Sequence, residues 1–136
     1  MQPLIHFIVS TLLVLILWPF YGINSIWAYL TGFLVDIDHL IEYFLHHKEL
    51  SYKKLKHFYA TTDFNNIINP LHTIEFLILL IILSFYHKIF VILTISFAIH
   101  WSMDFIYQIK NKFMHHRNFS ILLWLYQKKI KVRQQP

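Results

Sequence analysis

Two aspartates and a histidine stand close together in the stretch Val35-Asp36-Ile37-Asp38-His39, inside a run that is otherwise apolar and aromatic. Carboxylates and imidazoles hold divalent metals and move protons. In a lipid-facing helix each central Asp costs roughly 2.5 to 3.5 kcal/mol, so such groups need one another, an ion or water. The same chemistry recurs along the chain at His6, His72, His100 and Asp104. His100 and Asp104 are four residues apart, a spacing with which one helix presents two ligands to a metal. His72 and Glu75, three apart, also share a helical face. At about 100° per residue His39 lies between Asp36 and Asp38, with Glu42 and Tyr43 on the same broad arc.

Whether these groups meet depends on the elements that carry them. Of the 136 residues 57% are hydrophobic, 14% are charged and only two are Gly. Residues 3 to 35 contain no Asp, Glu, Lys or Arg, a run longer than a single membrane span. The expected fold is therefore all-α and integral to a membrane: a four-transmembrane-helix bundle in a single domain, 1–136. The helices are expected at about 3–20, 25–46, 70–86 and 89–108, with a cytoplasmic loop at 47–69 and an interfacial segment at about 118–127. Pro3 and Pro70 suit first turns, Tyr21 to Asn24 a turn, and Ser25 a cap. No Lys or Arg precedes the first apolar run and no Ala-x-Ala site follows it, so it reads as a retained helix rather than a signal peptide. No internal repeat or Ser/Gly-rich linker suggests a second domain.

Orientation follows from the twelve Lys and Arg. Four lie in the loop between the second and third helices and seven after the fourth, while only Lys88 lies in the remaining turn. Excess positive charge marks the cytoplasmic side, which places both termini and the long loop there. With alternate helices antiparallel, His6, Asp36, Asp38, His39, His72, His100 and Asp104 fall at one level. At about 1.5 Å per residue that level is roughly 5 to 15 Å beneath the inner face.

The chain has no Cys, so any ion must take nitrogen and oxygen ligands. That set suits a divalent metal, zinc first and manganese or iron next, and carboxylate bridging would suit two ions. Helix bundles build such sites from inward-facing carboxylates and histidines. The candidate metal ligands are thus His6, Asp36, Asp38, His39, His72, His100 and Asp104, with Asp36 and Asp38 the candidate catalytic carboxylates. A lone intramembrane His is more often an interhelical hydrogen bond, and a His–Asp pair also stabilises packing. The metal reading rests on their common depth. His46, His47, His57, His87, His115 and His116 read as boundary, loop or solvated residues, and Trp18, Trp27, Trp101 and Trp124 partly as interfacial anchors. A haem-binding protein with axial histidines and a non-catalytic scaffold are the alternatives. Nucleic acid is disfavoured, because topology already accounts for the Lys and Arg behind the net charge of +5.

Taken in order, these motifs resemble the predicted membrane-bound metal-dependent hydrolases of which a LexA-regulated bacterial inner-membrane protein is the familiar member. That family shows an early His, a Pro-Asp-x-Asp-His signature, a His-Ser element and a His-x-x-x-Asp element. Here His6 looks like the first, Asp36, Asp38 and His39 the second, Leu71-His72-Thr73 the third, and His100 with Asp104 the fourth. Val35 stands in place of the signature Pro, and a His-Arg pair that usually precedes the third element is absent at residues 66–70. The resemblance implies a distant relation to the zinc-dependent phospholipase C and single-strand nuclease superfamily. From this follow a phosphoester substrate, metal-activated water, and carboxylates as ligands or general base. A site opening at the cytoplasmic leaflet makes membrane lipid the expected partner. The basic tail, Lys128, Lys129, Lys131 and Arg133, is expected to be drawn to anionic phospholipid headgroups at about 1 kcal/mol each.

Overall fold

The computed structural model describes residues 3–47, 51, 53–55, 68–110 and 119–133, and among these every regular element is a helix or 3-10 turn. In chain order they are α1 (Pro3–Tyr21), a 3-10 turn (Gly22–Trp27), α2 (Ala28–Gly32), a 3-10 turn (Leu34–Asp36) and α3 (Ile37–His47). A 3-10 turn (Pro70–His72), α4 (Ile74–Ser84), α5 (Lys88–Lys110) and α6 (Ile121–Arg133) follow. The expected loop at 47–69 lies mostly outside the described residues, as do His57, His115 and His116.

The all-α class is as expected, but the four full spans are not. Among the described residues two helical segments are long and apolar enough to cross a membrane, the run Pro3–Leu45 and the helix Lys88–Lys110. α4, with 11 residues, reaches only about 16 Å against a hydrocarbon core of about 30 Å. The expected second helix, 25–46, is broken: Phe33 leaves helical geometry at φ −135° and ψ −49°. The Asp36 N–H turns to the Phe33 carbonyl at 3.4 Å, the i to i−3 pattern of a 3-10 turn. The basic tail is also different, since Lys128, Lys129, Lys131 and Arg133 form the second half of a continuous helix.

Neighbouring segments nevertheless run in alternate directions. His6 near the start of α1 meets Asp104 late in α5, while Leu13, Val14 and Leu17 pack with Ala28 and Ile92. α4 runs against α5 in the same sense, with Leu80, Leu93, Phe97 and Val35 forming a second cluster and Phe76 edge-on to Phe97. Where α1, α2 and α5 cross, close approach requires a residue without a side chain. A Cβ on Gly32 would stand 2.4 Å from Ser10 Oγ and 2.5 Å from Ser96 Oγ. Ser96 Oγ donates to the Ala28 carbonyl and Thr31 Oγ1 to the Leu93 carbonyl at 2.8 Å, so small residues and hydroxyls lock α2 onto α5.

A candidate metal centre

The break at Phe33 sets up the site. With Asp36 N–H bonded to Phe33, the Gly32 carbonyl accepts instead from Nδ1 of His100 at 2.9 Å. A carbonyl only accepts, so His100 carries its proton on Nδ1 and Nε2 presents a lone pair. His72 is fixed in the same way. Its Nδ1 lies 2.9 Å from Asp38 Oδ2, an acceptor, so in the neutral ring the proton sits on Nδ1 and Nε2 is the ligating nitrogen. Trp101 Nε1 donates to the His72 carbonyl at 3.3 Å and steadies the turn.

The two Nε2 atoms face each other. Nε2 of His72 and Nε2 of His100 are 3.1 Å apart, and Asp36 Oδ1 lies 3.3 Å from the first and 3.5 Å from the second. A tetrahedron of ligands around bonds of about 2.0 to 2.1 Å has edges of about 3.3 to 3.4 Å. Three donor atoms therefore already stand at the separations that one divalent ion would impose. Asp104 Oδ2 completes the set at 3.8 Å from His100 Nε2 and 4.0 Å from His72 Nε2, edges that correspond to a wider angle. All four ligand atoms lie within 4.8 Å of one another. His72, His100 and Asp104 are buried, and Asp36 is the most open, with 21% of its side chain exposed.

The other expected ligands surround this set. His6 stands behind Asp104, with Nε2 3.2 Å from Oδ1, the oxygen turned away from His72 and His100, and its ring stacks on His100 at 4.1 Å. Its Nδ1 has no hydrogen-bond partner among the described residues. Asp38 holds the outer nitrogen of His72, and its Oδ1 likewise accepts no hydrogen bond among the described residues. His39 receives a hydrogen bond from Asn69 Nδ2 on Nδ1, and its Nε2 is 3.9 Å from Asp36 Oδ1. Asp38, His39 and His72 form a second, smaller group of ligand type that shares His72 with the first.

Glu75 does not join His72. Thr73 between them is extended, at φ −106° and ψ 159°, so the two residues do not belong to one helical face. The Glu75 carboxylate instead caps α6, accepting from the backbone N–H of Ile121 at 3.1 Å and of Leu122 at 3.3 Å. His87 is exposed, and its Nδ1 accepts from the Ile89 N–H at the start of α5. Sequence reasoning overlooked Asn69 and the Gly32 carbonyl. The Asn-Pro pair at 69 and 70 marks a turn that could have singled out the first, whereas nothing local marks the second. Compared with protein-family models, with curated proteins and with solved structures, the chain matches none.

Proposed function

We propose that this chain is a membrane-embedded, metal-dependent hydrolase that cleaves a phosphoester of a membrane lipid at the cytoplasmic leaflet. In this reading Asp36, His72, His100 and Asp104 hold a divalent metal, with zinc favoured over manganese or iron. The observation that carries it is the gathering of two imidazoles and two carboxylates from separate segments of the chain, with their ligand atoms within 4.8 Å of one another. Such an ion supplies Lewis acidity toward a phosphoryl oxygen and lowers the pKa of a water.

The chain's own residues do the rest. Asp38 and the Gly32 carbonyl fix both imidazoles in the ligating tautomer, and His6 aims Asp104. Oδ1 of Asp38, without a hydrogen-bond donor among the described residues, is placed to take a proton, which keeps Asp38 as general base beside Asp36 as ligand. Asp36 and His39 form the open side, where substrate arrives. The ordered motifs that resemble those of the hydrolase family support this chemistry. The apolar α1 and α5, of 19 and 23 residues, support a setting in lipid, and the excess of Lys and Arg at 47–69 and after α5 supports cytoplasmic termini.

The scaffold reading replaces the metal with one shared proton, which would equally reconcile His72 with His100. The haem reading has less support: axial ligands stand about 4 Å apart, twice a metal–nitrogen bond, and the His6 ring stacked at 4.1 Å on His100 occupies the space beside it. Elemental analysis of the purified chain, together with hydrolysis of mixed phospholipid vesicles, separates these. Wild type is expected to carry zinc, manganese or iron and to hydrolyse the lipid, while His100→Ala and Asp36→Ala lose both. Metal-free wild type, or undiminished hydrolysis in the variants, would falsify the proposal.

A further inference from the structure

α6 is divided along its length rather than around its circumference. Ile121 to Tyr126 are all apolar or aromatic, while from Lys128 to Arg133 four of the six residues are basic and none is acidic. Leu122, Leu123, Leu125 and Tyr126 are each at least half exposed. Lys128 and Lys129 are exposed as well, with the Lys128 ammonium 4.8 Å from the centre of the Trp124 ring. A helix lying flat on a membrane keeps its basic residues on one face. Here the division is end to end, which suits steep entry: an apolar half of about 9 Å, close to the depth of the boundary between acyl chains and headgroups, followed by a basic end among the headgroups.

The apolar end is tied to the metal centre. Glu75 Oε1 accepts from Ser120 Oγ, and the same carboxylate caps Ile121 and Leu122. The Ile74 N–H donates to the Phe119 carbonyl at 2.9 Å, two residues from His72. The Phe119 ring meets Trp101 and Phe105 edge-on, and Trp101 bonds the His72 carbonyl. The start of α6 and the turn carrying His72 thus form one clasped unit.

We infer that α6 binds anionic phospholipid headgroups and that Glu75 fixes it at the rim of the His/Asp cluster, so that anionic phospholipid is the class of substrate gathered there. The inference rests on the membrane setting proposed above. Zwitterionic lipid would satisfy the exposed leucines equally well but would not match the four basic residues of this end, among which no acid stands.

The absence of Cys allows a single reporter: Tyr126→Cys labelled with bimane, in the full chain, in nanodiscs of phosphatidylcholine or phosphatidylglycerol. Quenching by acrylamide, a neutral molecule, is expected to be at least threefold weaker in phosphatidylglycerol. Replacing Lys128, Lys129, Lys131 and Arg133 together by Gln should abolish that difference. Glu75→Ala separates the clasp from simple attraction: removing a negative charge should strengthen binding to anionic lipid, whereas loss of the clasp should at least double the quenching there. Ser120→Ala tests the same contact without a change of charge. Equal quenching of the parent in both lipids, or full protection of both clasp variants, overturns the inference. No readout here depends on metal or turnover, so failure of the hydrolase proposal and failure of this one are distinct results.

Discussion

The two halves of α5 are held in place by different means. In the first half Ile92, Leu93 and Phe97 bury apolar surface against α1, α2 and α4, and Ser96 donates to Ala28, so the interactions are complete as they stand. In the second half His100 and Asp104 face Asp36 and His72, and the ligand atoms of these four residues crowd within 4.8 Å of one another. The apolar half is specified by shape and, on the proposed reading, the polar half by a bound cation. Stability of the first should therefore ignore metal, and stability of the second should follow it.

The largest effect expected is the one that tests this division outright. Free zinc at about 1,000 times its dissociation constant should stabilise the chain by about 4 kcal/mol, and chelation should remove that gain. Thermal unfolding in detergent with and without chelator measures it, with His100→Ala expected to show no response. A wild-type transition that chelator leaves in place would mean that a proton, not a metal, reconciles the polar half.

Next in size is Gly32→Ala, at about 2 kcal/mol, because the new methyl drives the Ser96 hydroxyl off the Ala28 carbonyl and crowds Ser10. Adding Ser10→Ala and Ser96→Ala should recover part of the loss. The cost should already be present in the metal-free chain, even though the Gly32 carbonyl also holds His100. A penalty confined to the metal-loaded chain would instead assign this crossing to the polar half.

Much of this division is visible in the residues, and what is not has a physical reason. Antiparallel threading brings the start of α1 to the end of α5, so His6 and Asp104 can be paired from helix order alone. The seven expected ligands do gather at one end of the bundle, but which of them face the centre depends on rotamers and local winding. His6 and Asp38 reach out to orient Asp104 and His72, a role that spacing does not distinguish from ligation. The break after Gly32 is hidden because its cause is tertiary: the crossing with Ser10 and Ser96, and a carbonyl turned toward His100. Counting apolar residues detects neither that break nor the extended Thr73, and so it yields four uniform spans and places His72 beside Glu75.

The smallest effects sharpen the comparison by pairing one hydrogen bond from each half. Asp38→Asn keeps the size of the side chain but removes the charge that holds Nδ1 of His72, and should weaken metal binding about tenfold, or about 1.4 kcal/mol. Isothermal titration with zinc measures this, and unchanged affinity would remove Asp38 from the support of the centre. Tyr29→Phe deletes a hydroxyl that donates to Thr11 Oγ1 at 2.9 Å on the far side of α1, and should cost about 1 kcal/mol of stability. Its zinc affinity should equal that of wild type, since Thr11 passes its own proton to the Phe7 carbonyl and not toward His6. If Tyr29→Phe moved zinc affinity as much as Asp38→Asn, the two halves would be one mechanical unit, and support of the centre would extend through α1 to residues that touch no ligand.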